Sequence, residues 1–338
     1  MKKNTEESQP QLNRRKLLAG GVSAGGALLV GCAMGPGATQ SLAMTDSAEP
    51  EFDKDLPKNF TDGEWNRDSM ARLTGDLDFG KAKPGWYSGV VMGVREGEKV
   101  RPLMNFEGFS FSRLIDNGDG TYQKLLREVV FYKDLKTGKI LETFDNPYTG
   151  ETVKVVPVAN DPFNYVIEKY RSRGPSYGGL NKLSDAPREP LRYPWKITEE
   201  NTVTLATDIH LFYPSALQPD EWPRESSGAM VRVSEMFRYI IRREDLENPD
   251  LTSITYSGSW HRITPWLPWM LMGQAQGHIT YVGTMGGFSN LDMVSPEVIA
   301  YAEKHFPKYF DAPTVWEEPS FSSLEDYART QEPAPVKK

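Results

Sequence analysis

Cysteine is nearly absent from this 338-residue chain, with Cys32 the only one. An internal disulfide is therefore excluded, as is haem attachment through a Cys-x-x-Cys-His motif, and side-chain packing has to hold the fold together. Histidine is also scarce. His210, His261, His278 and His305 are the four present, and none lies at the close spacing of a metal-ligand pair. Positive charge is in deficit, with 39 Lys and Arg against 46 Asp and Glu and a net charge of −7, so no nucleic-acid partner is expected. The one near-continuous apolar run is Leu17 to Val30, and the chain beyond it has no stretch long enough to span a bilayer as a helix. Beyond that run there is no Gly-x-Ser-x-Gly elbow, phosphate-cradling loop, Gly-x-Gly-x-x-Gly or His-Glu-x-x-His. These absences leave any cofactor unknown and name no reaction.

What is present begins with a leader over residues 1–31. A polar n-region ends in Asn13-Arg14-Arg15-Lys16-Leu17-Leu18, and a weakly apolar, Gly- and Ala-rich segment follows. That pattern resembles a twin-arginine (Tat) export signal, which makes the Tat machinery an expected partner and the periplasm the expected location. Two processing schemes compete. Leu29-Val30-Gly31-Cys32 matches a lipobox, which would lipidate Cys32 and anchor the protein to a membrane through that residue alone. Ser41-Leu42-Ala43 offers the small residues of an ordinary signal-peptidase site, releasing a chain that starts at Met44. Under either scheme residues 32–58 read as a flexible tether.

The spacing then predicts a helix over 62–74, opened by the capping-box pattern Thr61-Asp62-Gly63-Glu64. From Trp86 the period changes to that of strands. Candidates run over 86–92, 100–113, 122–133, 140–144 and 152–158, separated by turn signals such as Asn117-Gly118-Asp119-Gly120 and Lys136-Thr137-Gly138. Residues 159–190 are loop-rich. Strands resume at 202–213, 234–243, 253–263 and 278–283, although 234–246 also fits a helical period. Ser295-Pro296 signals a helix to about 306, another short helix follows Ser322, and the tail from Pro333 reads as frayed. The expected fold is mainly β: an antiparallel meander forming a barrel or strongly curved sheet, with short helices at either end. We assign residues 59–312 to one β-rich domain and 313–338 to a partly helical extension.

The stretch from Trp260 to Met270 gathers three of the eight tryptophans, one histidine, Arg262 and two prolines. Pro265 and Pro268 exclude a regular helix or central strand, so a rigid, ring-bearing wall is expected there. Together with Arg127-Glu128-Val129-Val130-Phe131-Tyr132, Lys136-Thr137-Gly138, Asn146-Pro147-Tyr148-Thr149-Gly150-Glu151 and Val158-Ala159-Asn160-Asp161-Pro162, this stretch resembles a family of exported bacterial proteins, the domain of unknown function 1838. The resemblance implies Tat-type leaders and brings no assigned activity or catalytic residue. Gly85-Trp86-Tyr87 is similar, more weakly, to the start of lipocalin-like barrels.

Asn105, Glu107, Phe109, Phe111 and Arg113 share one parity, a mixture that suits a barrel lumen or, equally, a solvated face with packed rings. Adjacent residues on a strand point to opposite faces, so only one of His261 and Arg262 can address a given pocket. Two functions follow. In one, a small apolar or aromatic molecule sits in a barrel cavity lined by Phe109, Phe111, Tyr132, Trp260, Trp266 and Trp269, with Arg262 or Arg113 orienting its polar group. In the other, His261 with Glu107 (or Asp208) moves a proton in cofactor-independent isomerase, lyase or hydrolase chemistry. The bland readings stand beside them: His261 hydrogen-bonded in the core, Arg262 in an ion pair with Glu107 or Glu235, and an envelope scaffold with no ligand. Asp208 and His210 share a strand face and could contribute to a metal site only with a distant third group, so no metal ligand is assigned.

Overall fold

The computed structural model describes residues 58–171, 188–316 and 322–336. The leader, Cys32, most of the tether and the centre of the 159–190 loop lie outside the described residues. The fold is mainly β. The first helix, α1 (Gly63–Thr74), is capped by Asp62, whose side chain accepts from Trp65 N, rather than by Thr61. Three long strands follow, β1 (Ala82–Val94), β2 (Arg101–Asp116) and β3 (Tyr122–Lys133), and then four of three residues each: β4 (Thr143–Asp145), β5 (Thr152–Lys154), β6 (Val158–Asn160) and β7 (Tyr165–Ile167). The second half contributes β8 (Trp195–Glu199), β9 (Thr202–Pro214), β10 (Met230–Arg242), β11 (Tyr256–Thr264) and β12 (His278–Gly287). Strand wins over helix at 230–242, because alternate residues there are buried while the intervening ones are open. Only the short α2 (Arg243–Glu247) after it is helical. The helices α3 (Pro296–His305) and α4 (Ser323–Thr330) follow the serines that signalled them, and Ser322 forms a full capping box with Glu325.

The long strands join in one antiparallel sheet in the order β6-β3-β2-β1-β12-β11-β10-β9-β8, with β7 also on β3; β4 and β5 form a separate hairpin. Two meanders therefore meet along β1 and β12, which pair without interruption from Gly85↔Gly287 to Val94↔His278. Gly89 and Gly283 face each other in this seam. A Cβ on Gly89 would lie 2.2 Å from Val282 O, so the close approach requires glycine there. No pairing joins β8 to β6 or β7 among the described residues. Of the barrel or strongly curved sheet expected, the barrel, and with it the lipocalin-like one, is not found among the described residues: the antiparallel sheet is open between β8 and β6 or β7.

Both faces of the sheet are used, unequally. One face carries the main core, with Tyr87, Val91, Met104, Phe106, Tyr132, Leu205, Tyr239, Trp260 and Met285 packed against Met70 and Leu73 of α1. On the opposite face Phe109, Val129 and Phe131 pack under Val298 and Ala302 of α3 and under Tyr309. Strands β2 and β3 are consequently buried on both sides, which is why their alternation is blurred in the sequence. The farther part of that face is bare, with Ile240, Ile263 and Val282 each at least 40% exposed. The described tail does not fray freely: Ala334 N donates to Glu225 Oε1 and Arg224 donates to Pro335 O.

Candidate functional site

Strand register decides which predicted residues can meet. Glu235, Arg262, Tyr281 and Val91 are successive cross-strand neighbours on β10, β11, β12 and β1, so they form one row across the core face. Trp260 lies two residues before Arg262 on that face, fully buried against Phe106 and Tyr281, with ring centroids 5.7 and 5.3 Å away. Its indole N–H donates to Glu235 Oε2 at 3.1 Å. Tyr132 reaches in from β3, and its hydroxyl meets that of Tyr281 at 2.8 Å.

The wall is the proline-bounded stretch after β11. Pro268–Met270 forms one 3-10 turn that ends at Leu271 in the left-handed conformation, φ 55°. Trp269 packs against Tyr132 at 5.3 Å and Phe144 at 5.9 Å, while Trp266 packs against Tyr148 at 5.1 Å and donates its N–H to Ala275 O. Two contacts fix this loop from outside. Asn146, in the β4–β5 turn, donates to Met270 O at 2.7 Å. Gly277, at φ +112°, leaves bare backbone beside Trp266, where a Cβ would lie 2.7 Å from the indole.

Between row and wall lies a partly enclosed cavity of about 90 Å³. Its apolar lining includes Trp266, Leu267, Trp269, Pro157 and, from α4, Leu324 and Tyr327; its polar end is Arg262 with Tyr132, Tyr213 and Tyr281. Arg262 and Glu235 form a buried ion pair at 3.4 Å, with side chains 14% and 2% exposed. Burial pushes the Glu235 carboxyl above its usual range, opposed by Arg262 and by the Trp260 N–H. Burial works against the Arg262 charge, but Glu235 and the surrounding tyrosines outweigh it and hold its pKa up. Burial likewise raises the Tyr281 hydroxyl, to about 12, so it stays protonated at neutral pH.

Four expected site residues thus converge here: Arg262, Trp266, Trp269 and Tyr132 line the cavity, and Trp260 supports it from behind. The structure separates the others. Phe109, Phe111 and Arg113 lie on the opposite face, where Phe109 packs on Phe310 at 4.9 Å and Arg113 pairs with Asp311 at 2.8 Å. The parity expected to line a lumen is the one that α3 covers. Glu107 shares that face: it accepts from Lys133 Nζ at 2.8 Å and from Ser295 N and Oγ at 2.8 and 2.7 Å, anchoring the start of α3. His261 also points away from the cavity, flanked across the sheet by Met236 and Val282. From β11 to β2 is three strand spacings, about 14 Å, so His261 and Glu107 do not share a proton.

His210 bridges Asp208 at 2.7 Å and Ser234 at 2.9 Å on the same exposed face as His261. Among the described residues no cluster of three or more His, Cys, Asp or Glu is placed to hold a metal. Sequence reasoning named Glu235 only as an ion-pair partner and missed Tyr281, Tyr213 and the α4 residues. The available signal was the shared parity of Trp260 and Arg262, and the spacing of Leu324, Tyr327 and Ala328 along one helical face.

Residues 81–331 match the model of a family described as "Protein of unknown function (DUF1838)". The chain belongs to that family. The matched span includes every strand of the sheet, the tryptophan wall and α4, so row, wall and cavity all lie within the family's domain. No curated protein matches the chain.

Proposed function

We propose that this family member binds a small apolar or aromatic molecule in the cavity beside Trp266 and Trp269, as an exported protein of the cell envelope. The observation that carries the reading is a cavity with an apolar wall fixed by prolines and, among its polar groups, the buried guanidinium of Arg262. Such a site, mostly apolar with a few convergent polar groups, is what small-molecule recognition requires. The rigid wall loses little entropy on binding, which favours affinity. Export rests on the Arg14-Arg15 leader, and a lipid anchor, if made, would be at Cys32.

An enzyme built on His261 with Glu107 draws less support, since neither side chain lines this cavity, whereas His261 with Asp208 shares a separate, open depression on the other face. The test is intact mass of the protein purified from its own envelope, recorded natively and after denaturation. A native excess lost on denaturation, together with loss of that excess in Trp266→Ala, supports a bound molecule. Equal masses, with no thermal shift from any apolar probe, would favour the ligand-free scaffold. The denatured mass also separates a lipidated Cys32 from a chain beginning at Met44.

A further inference from the structure

We infer that the cavity selects a small apolar monocarboxylate, whose carboxylate is received by the guanidinium of Arg262 and a tyrosine hydroxyl of the Tyr132–Tyr281 pair. This rests on the cavity being a ligand site at all. A guanidinium carries five N–H donors and no acceptor. Among the described residues Arg262 has one polar contact, the 3.4 Å approach to Glu235 Oε1, and its buried Nε has no hydrogen-bond partner. The two tyrosine hydroxyls supply two protons, and their mutual hydrogen bond uses one, whichever of them donates. One hydroxyl proton is left over beside the arginine. Around Arg262 the cavity therefore holds more N–H and O–H donors than the acceptors they are seen to bond, which suits a carboxylate.

Charge and size narrow the class. Glu235 offsets the single guanidinium charge from behind, where Trp260 also holds it, and it is not among the residues that line the cavity. The one carboxylate in the lining, Asp326 on α4, has its pKa raised by burial, with Arg329 and Lys308 opposing that shift. With the guanidinium charge already balanced by Glu235, an anion would be held by hydrogen bonds and not by surplus charge, which a monocarboxylate tolerates better than a phosphate dianion. A cavity of about 90 Å³ takes on the order of six water-sized groups, a ring or a short acyl chain. Trp266, Trp269, Leu267 and Leu324 offer that body no polar competition in the space between them.

The test compares benzoate and hexanoate with their neutral counterparts, benzamide and hexanol, by calorimetry on the full-length protein. The acids are expected to bind about tenfold or more tightly than the neutral probes, the range of a charge-assisted hydrogen bond. That preference should collapse in Arg262→Met and fall several-fold in Tyr281→Phe, which keeps the ring. Should Arg262→Met fail to fold, the wild-type comparison and Tyr281→Phe still decide. Neutral probes binding as tightly as the acids would overturn the inference and leave the apolar site standing. Silence from all four probes would overturn the site itself.

Discussion

The Glu235–Arg262 pair gives the sharpest energetic test of the core. Two opposite charges 3.4 Å apart attract by about 5 kcal/mol at an effective dielectric of 20. Replacing Arg262 with methionine keeps the apolar volume but leaves Glu235, 2% exposed, with only the Trp260 N–H. Loss of one buried partner costs about 3–5 kcal/mol, which should lower the melting temperature by about 10 °C. Glu235→Gln should cost less, about 2 kcal/mol, because the amide can still accept from Trp260 and the guanidinium opens onto the cavity. The double variant carries no buried charge and should sit within about 1–2 kcal/mol of the parent, a coupling of several kcal/mol.

The same pair predicts a pH signature. Burial already holds the Glu235 pKa high, and removing Arg262 removes the largest influence that lowers it. A carboxyl with a raised folded-state pKa takes up its proton in the folded protein first, so its fold is favoured as pH falls towards the unfolded value near 4.5. Arg262→Met should therefore regain part of the lost stability as pH falls from 7 to 5, where the parent gains less. Urea unfolding of the four proteins at the two pH values measures all of this. Additive single effects below about 1 kcal/mol, with no recovery at pH 5, would refute the picture of a desolvated pair.

Three further outcomes are expected. Gly89→Val should destabilise by more than about 3 kcal/mol or prevent folding, since its side chain would meet Val282 O and the Phe106 ring at the seam, and circular dichroism with urea titration reads this directly. His261→Ala should change stability by less than about 0.5 kcal/mol and leave probe affinity in the calorimeter unaltered, because the ring faces away from the cavity. For Glu107, burial is outweighed by Lys133 and Ser295, so its pKa lies below the usual value near 4.5. Its stabilisation should be present above that value and fade as pH falls through the lower folded-state pKa. Glu107→Gln should cost about 1–3 kcal/mol at pH 7 and flatten the acid side of the stability profile.

Most strands were legible in the sequence because turn chemistry punctuates them: Gly97, Gly118, Gly120, Gly138 and Gly150 all adopt positive φ in the structure. What was not legible is which face each strand shows to what. On β2 both parities carry aromatics, Phe106 inward and Phe109 outward, since α3 covers the second face from nearly two hundred residues away. No local pattern contains that information. On β11 the parity argument sufficed, separating Arg262 from His261, because Trp260 and Thr264 mark the buried side. Tyr281 could not be placed beside Arg262 without the register of β12, and β7 and β8 were too short to stand out from the loops around them.

The seam between β1 and β12 also sets the order in which this molecule can be completed. Each meander can zip up from neighbouring strands, but Gly85 finds Gly287 only across some two hundred residues of intervening chain. Joining such distant segments must overcome a large loop-closure entropy before any contact rewards it, so this step belongs at the slow end of folding. A ribosome that has released β1 to β3 has made a half-sheet with an unprotected edge, and it waits for the last of the long strands to cover it.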